Sequence, residues 1–383
     1  MKPNKPSTKP KKHDEERILV LQGGGALGAY QAGVYEALST KELLPHWVAG
    51  ISIGAINAAL IAGNPPKLRG PRLREFWETV TAAYSSLFPL TPGVHMRTAF
   101  NGAIATMDSI FGLPGFFTPR VPGFKATSLY DTAPLRATLE KLVDFELLND
   151  RSVRLSVGAV NVRSGNFTYF DTNEQRLDVR HIMASAALPP GFPPIEIDGE
   201  WYWDGGLVSN TPLHYVLDQP GERRRLVFQV DLFPAEGQMP TNLAEVADRE
   251  KDIRFSSRTR LNTTNELARQ ALGQAVRRLA ARLPRKFASD PDLQTIEAAS
   301  RETAVTVVHL IYRRKGYEAQ SRDFEFSRVS MREHWAAGQA DMAHTLNHPA
   351  WLKRRRPREG VHVFDLTRDA AAPPRKQPIR VRG

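Results

Sequence analysis

The 383-residue chain contains no cysteine. That excludes disulfide scaffolds, thiolate metal sites and cysteine nucleophiles, and it leaves the redox compartment open. A long uninterrupted apolar run is also missing. The longest candidate, Trp47 to Gly63, contains Ser52 and Asn57 and is broken by Gly50 and Gly54, whereas a membrane-crossing helix needs about 20 apolar residues without such breaks. The opening segment, Met1 to Glu16, is rich in Lys and Pro and has no apolar stretch of the kind a secretion signal carries. It reads as a solvated basic arm. The expected location is cytoplasmic, with room for peripheral contact to a membrane.

Acidic residues are in deficit, 41 against 52 basic ones, for a formal net charge of +11. Anionic partners therefore come into question, either a membrane surface or a nucleic acid. No aromatic-interleaved reader motif is visible, which disfavours nucleic acid. The basic ends, Lys9 to Lys12, Lys353 to Arg356 and Arg375 to Arg382, read first as solvated tails and second as a means of docking on anionic lipid. There is no internal repeat. No His/Asp/Glu cluster has ligand spacing, so neither a metal nor an organic cofactor is expected.

The remaining composition, 41% hydrophobic and 24% charged, is that of a globular protein and excludes wholesale disorder. The length suits two domains or one large α/β domain with additions. Arg17 to Leu21 is a short β-branched run, as in a strand buried on both faces. A glycine-rich turn and a helical segment, Ala29 to Leu38, follow. A second strand near Trp47 to Ile51 leads through another glycine-flanked turn into a helix from Ala55 to Ala62. Strand–helix–strand–helix order predicts a parallel sheet with right-handed crossovers. Further core strands are expected at Val153 to Val160, Phe167 to Phe170, Arg225 to Leu232 and Val305 to Tyr312, with a helix at Met331 to Leu346.

Three short constellations carry chemistry. Gln22-Gly23-Gly24-Gly25-Ala26-Leu27-Gly28 lies between a strand and a helix. Consecutive glycines let backbone N–H groups converge at a helix N-terminus, which suits a phosphate or the oxyanion of acyl transfer. Gly50-Ile51-Ser52-Ile53-Gly54 is a Gly-x-Ser-x-Gly set between a strand and a helix. In such a nucleophile elbow the serine sits on a tight, strained turn, with small neighbours relieving the crowding. Asp204-Gly205-Gly206 follows Trp201-Tyr202-Trp203 and precedes Asn210-Thr211-Pro212; by itself it reads as a hairpin turn.

Taken together and in this order, the three resemble the patatin-like phospholipase family. So does the Ala184-Ser185 to Pro193-Pro194 stretch before the aspartate. The resemblance covers Arg17 to Leu232. It implies a three-layer α/β/α sandwich with a mostly parallel central sheet, a helical insert and a C-terminal extension. It further implies a serine acyl hydrolase without a catalytic histidine, acting on a lipid or another acyl ester. Ser52 would be the nucleophile and Asp204 the general base. Backbone N–H groups of Gly24, Gly25 and Ala26 would form the oxyanion hole, supported by Gly23, Gly28, Gly50, Gly54, Gly205 and Gly206. Many members carry Arg or Lys in the glycine loop where this chain has Leu27, so a neutral ester or a single-chain lipid fits as well as a phospholipid. For such a dyad to work, Asp204 must lie within reach of Ser52 in a partly desolvated pocket. Trp201, Tyr202 and Trp203 are residues of the kind that could build it.

The implied division of the chain is a basic arm at 1–16 and a catalytic core at 17–233 with an apolar insert at about 65–122. A helical extension at 234–350 would contribute a strand at about 305–312, and a solvated basic tail would follow at 351–383. The insert, with Phe111-Gly112-Leu113-Pro114-Gly115-Phe116-Phe117, reads as a helical cap or as a lid over a lipid-sized pocket. Three other readings compete with this one. The glycine loop also spells a dinucleotide-binding pattern, yet no carboxylate occurs between Glu42 and Glu75 to hold a ribose. A conventional α/β-hydrolase needs a histidine, and none of His181, His214, His309, His334 and His344 sits in a supporting motif. The third rival is a non-catalytic membrane-binding protein.

Overall fold

The computed structural model describes residues 15–82, 93–120, 126–219, 224–257, 272–273, 275–284, 287, 290–299, 304–313, 318, 320–355 and 361–367. The basic arm up to residue 14, Phe88-Pro89 and the run Arg375 to Arg382 lie outside them. Eleven strands are formed among these residues: β1 (Glu16–Leu21), β2 (Trp47–Gly50), β3 (Thr118–Pro119), β4 (Tyr130–Asp131), β5 (Arg154–Asn161), β6 (Phe167–Asp171), β7 (Ile195–Ile197), β8 (Glu200–Asp204), β9 (Arg225–Asp231), β10 (Val305–Ile311) and β11 (Val361–Phe364). The first four helices are α1 (Gly28–Thr40), α2 (Ile53–Ala62), α3 (Pro66–Val80) and α4 (Val94–Phe111).

Nine strands make one sheet in the order β11-β10-β9-β1-β2-β5-β8-β7, with β6 also paired to β5. From β11 to β5 every pairing is parallel. The β7–β8 hairpin and β6 run antiparallel. Alternation along the strands sends side chains to two cores. Leu19, Leu21 and Val48 face a large core shared with α1, α2 and α3. Ile18, Val20, Trp47 and Ala49 face a smaller one shared with the helix Leu213–Asp218. Both faces are covered, so the expected α/β/α layering is observed. The apolar face of α1 is closed by the long helix Arg328–Asn347, its largest packing partner.

One pairing decides the position of the site. Over Ser156 and Val157, β5 is flanked by β2 on one edge and β6 on the other. Past the end of β2, β6 keeps its edge while β8 takes over the edge that β2 vacates, with Ala159 opposite Asp204. The last residue of β8 is thereby delivered to the point where the chain leaves β2.

One expectation is corrected, and two open readings are narrowed. The basic tail from 351 is in part folded: Trp351 is buried within the helical turn Pro349–Leu352, and β11 pairs in parallel with β10. Val-His-Val-Phe is too short and too polar on one side to announce itself as a strand; the exposed edge of β10 supplies the pairing. Asp204-Gly205-Gly206 is not a hairpin turn. Asp204 ends β8 and Gly205–Leu207 forms a 3-10 turn, while the hairpin reverses at Asp198-Gly199, both at positive φ (52° and 83°). Within the insert, Phe111 is exposed, but Leu113, Phe116 and Phe117 are buried. Phe116 packs edge-on to Phe192 at 5.9 Å and near Phe326 at 5.7 Å, so this segment is wedged into the core. Among the described residues no helix is long and apolar enough to cross a membrane.

Candidate active site

Ser52 stands between β2 and α2 with φ 56° and ψ −125°. This backbone region is costly for a residue with a Cβ and persists only where the surroundings enforce it. The enforcement is local. A Cβ built on Gly54 would stand 2.4 Å from the Leu21 carbonyl oxygen, so only glycine lets the first turn of α2 pass over the end of β1. The Ser52 N–H donates to the Ser185 carbonyl at 3.1 Å and approaches the Ser185 hydroxyl at 3.2 Å. Ser52 is half-buried, which leaves its hydroxyl accessible at the N-terminus of α2.

Asp204 is brought alongside by β8. Its N–H donates to Ala187 O at 3.0 Å, and its Oδ1 accepts the Gly206 N–H at 2.7 Å. The Ser52 hydroxyl lies against the carboxyl, near enough to favour its ionised form. Oδ2, buried, has no formed hydrogen bond. The two side chains are thus neighbours. Burial outweighs both hydrogen-bonding groups and pushes the Asp204 pKa up to about 7. The desolvation does not come from Trp201. Side chains alternate along β8, so Asp204 shares its face with Tyr202, which packs on Phe170 at 5.1 Å, and Trp201 points the other way, 48% exposed.

The glycine loop runs beside Ser52: a Cβ built on Gly23 would lie 3.0 Å from the Ser52 Cβ. Its peptide planes are held from outside the loop. Gln31 Nε2 donates to the Gln22 carbonyl at 2.6 Å, and the Gly23 N–H donates to Asn210 O at 3.1 Å. Asn210 Nδ2 donates to the Gly23 carbonyl at 3.0 Å. The carbonyl and the following N–H of a trans peptide point in opposite directions, so pinning the Gly23 carbonyl turns the Gly24 N–H away from Asn210. Gly25 adopts φ +53°, with the Asp323 carbonyl oxygen only 2.0 Å from where a Cβ would be. Gly24 and Gly25 are half-buried, and Gly25 to Leu27 form a 3-10 turn whose first N–H groups have no partner within the turn. Leu27 is wholly buried in the core.

Side chains to which the motifs gave no role hold this arrangement. Gln22 Oε1 accepts the N–H groups of Leu232 (2.6 Å) and Phe233 (2.9 Å), and its Nε2 donates to Thr211 Oγ1 (2.8 Å). Asn57 links Gln31, the Gly28 carbonyl and the Trp77 indole. A buried Gln or Asn beside a glycine loop is the one signal that could have marked them. Three of the histidines are occupied elsewhere. His309 pairs with Asp231 at 2.5 Å, His334 with Glu318 at 3.2 Å, and His181 caps its own helix through Asp178. Among the described residues no group of three or more metal-ligating side chains is assembled. Two surface hollows lie elsewhere, of about 570 Å³ beside Arg74 and Glu78 and about 340 Å³ beside Asn149 and Arg176. Arg74 is bonded to Glu36 and Arg176 to Glu146.

A family model described as patatin-like phospholipase matches residues 19–217, and one described as patatin phospholipase matches residues 253–358. The chain is 26% identical over 208 residues to a cGAMP-activated phospholipase of Pseudomonas aeruginosa, covering 51% of this chain and 54% of that protein. It is 23% identical over 227 residues to lysophospholipase NTE1 of Yarrowia lipolytica, covering 59% of this chain and 13% of that protein. The chain thus spans about half the length of the first relative and a small part of the second. Among solved structures, VipD from Legionella pneumophila aligns with TM-score 0.32 and 13% identity over 85% of this chain and 67% of that one. The type III effector ExoU aligns with TM-score 0.34 and 14% identity over 86% and 52%.

Proposed function

Because this chain belongs to the patatin-like phospholipase family, we propose that it hydrolyses carboxylic esters of lipids through Ser52 and Asp204. The observation that carries the reading is a buried Asp204 carboxyl, one oxygen of it unpartnered, near the hydroxyl of a strained serine. A carboxylate near pKa 7 is a far better base than a solvated aspartate, and its buried oxygen has a hydroxyl at hand to take a proton from.

Ser52 Oγ attacks the ester carbonyl while its proton passes to Asp204. The tetrahedral oxyanion is held by N–H groups of Gly24, Gly25 and Ala26, at roughly 3 kcal/mol per donor. Collapse breaks the C–O bond. The departing alcohol recovers the proton from Asp204, and the acyl group stays on Ser52 Oγ. Water then attacks the acyl carbonyl and yields its proton to Asp204. The second oxyanion collapses, Ser52 Oγ leaves with that proton, and the carboxylic acid is released.

Leu27 favours a second reading of the substrate. The loop position where the family often carries a cation is filled by a wholly buried leucine, which offers a phosphate no counter-charge. Acylglycerols or hydroxyalkanoate oligomers are then substrates beside phospholipids and lysophospholipids. A panel of these four classes, run with wild type and Ser52→Ala, tests both points. Wild type is expected to hydrolyse at least one class and Ser52→Ala none. Equal rates for the two proteins would overturn the assignment.

A further inference from the structure

The C-terminal extension contains a helical stretch that wears its apolar stripe outward. Residues 272–273 and 275–280 are helical and 281–283 form the turn that ends them. Leu272, Val276, Leu279 and Leu283 recur at spacings of four, three and four, which places them on one side of the stretch. A helix packed on a globular core turns such a stripe inward. Here Gly273 is the buried residue, while Leu272 is 66%, Leu279 62% and Leu283 46% exposed. Phe287, just beyond, is 38% exposed.

In the sequence of this stretch the charge has one sign. From 272 to 287 the sequence holds Arg277, Arg278, Arg282, Arg285 and Lys286, and no Asp or Glu. Outward leucines flanked by arginines are the pattern of a helix that lies in the plane of a lipid surface, its apolar side among the acyl chains and its cations at the headgroups. A protein partner would need an acidic rim around an apolar groove. An anionic bilayer supplies both without shape complementarity.

We propose that Leu272, Leu279 and Leu283, with Arg278 and Arg282 exposed in the same stretch, dock the protein on anionic lipid bilayers. The proposal stands whether or not Ser52 is the nucleophile. Docking relies on leucine insertion for depth and on the arginines for headgroup choice, so neutral bilayers are bound weakly and added salt weakens the remainder.

The test is co-sedimentation of the full chain with vesicles, using Ser52→Ala so that no lipid is consumed. Vesicles of phosphatidylcholine alone are compared with vesicles containing about a third phosphatidylserine, at low and physiological salt. Binding to the anionic vesicles is expected to exceed binding to the neutral ones at least tenfold. Leu279→Glu/Leu283→Glu, which alters exposed positions only, should lower it at least tenfold. In the Ser52 background that double variant should still cleave a water-soluble nitrophenyl ester as wild type does. Undiminished vesicle binding by the double variant overturns the proposal, as does equal binding to neutral vesicles. So does light scattering that shows a wild-type dimer dissociated by the same substitutions without vesicle binding, because the stripe would then join two copies of this chain.

Discussion

Asn210 grips Gly23 from both sides: its backbone carbonyl accepts the Gly23 N–H at 3.1 Å, and its side-chain Nδ2 donates to the Gly23 carbonyl at 3.0 Å. The same Nδ2 also donates to the Phe255 carbonyl at 2.9 Å. One side chain therefore sets the plane of the Gly23–Gly24 peptide and ties it to the C-terminal extension.

Asn210→Ala should lower kcat by about 10- to 100-fold with little change in KM, because it frees a donor that acts on the transition state more than on the bound ester. It also leaves buried carbonyls unsatisfied, at roughly 1–3 kcal/mol of stability. Steady-state kinetics beside urea unfolding separate the two effects. A rise in KM alone would place Asn210 in substrate binding instead.

Burial of Asp204 sets a pH profile. Its carboxyl must be ionised to act as a base, so kcat/KM should climb about tenfold per pH unit below pH 7 and level off above it. A profile flat between pH 5 and 8 would count against Asp204 as the base.

The same burial has a thermodynamic consequence. The folded pKa near 7 lies above the unfolded value of about 3.9, so between these the folded protein binds more protons and stability falls as pH rises through that window. Asp204→Asn removes the titration. Its stability relative to wild type should improve by about 2–3 kcal/mol between pH 5 and pH 8, read from urea midpoints at the two pH values, while turnover is lost.

Ser52 stores strain that a glycine would release. Ser52→Gly should be stabilised by about 1 kcal/mol, the relief of a positive-φ side chain less the added freedom of the unfolded chain, and should be inactive. Destabilisation by that substitution would mean that Ser52 is held in its region by favourable contacts.

The parts of this site that lie close in sequence were legible from residue types. The glycine loop after β1 and the elbow after β2 are strand–turn–helix units whose glycines are demanded by local geometry, Gly54 by the Leu21 carbonyl and Gly25 by its own φ. Whatever depends on distant pairing was not. β8 reaches Ser52 only because β2 ends short of β5, a fact of strand length in three dimensions. The alternation that turns Trp201 outward follows from the register at Asp204. Gln22 opens the glycine motif without a role of its own there, and Gln31 and Asn57 belong to no motif; all three are polar groups that burial forces into partnership. β11 has too little apolar character to be read without the edge it joins.

The most direct test of the central claim is mass-spectrometric mapping after treatment with a fluorophosphonate, which phosphonylates an activated serine. One stoichiometric adduct is expected on the peptide carrying Ser52, none in Ser52→Ala, and labelling slowed at least a hundredfold in Asp204→Asn at pH 8. An adduct on another serine, or labelling of Ser52 at the same rate without the Asp204 carboxylate, would contradict it.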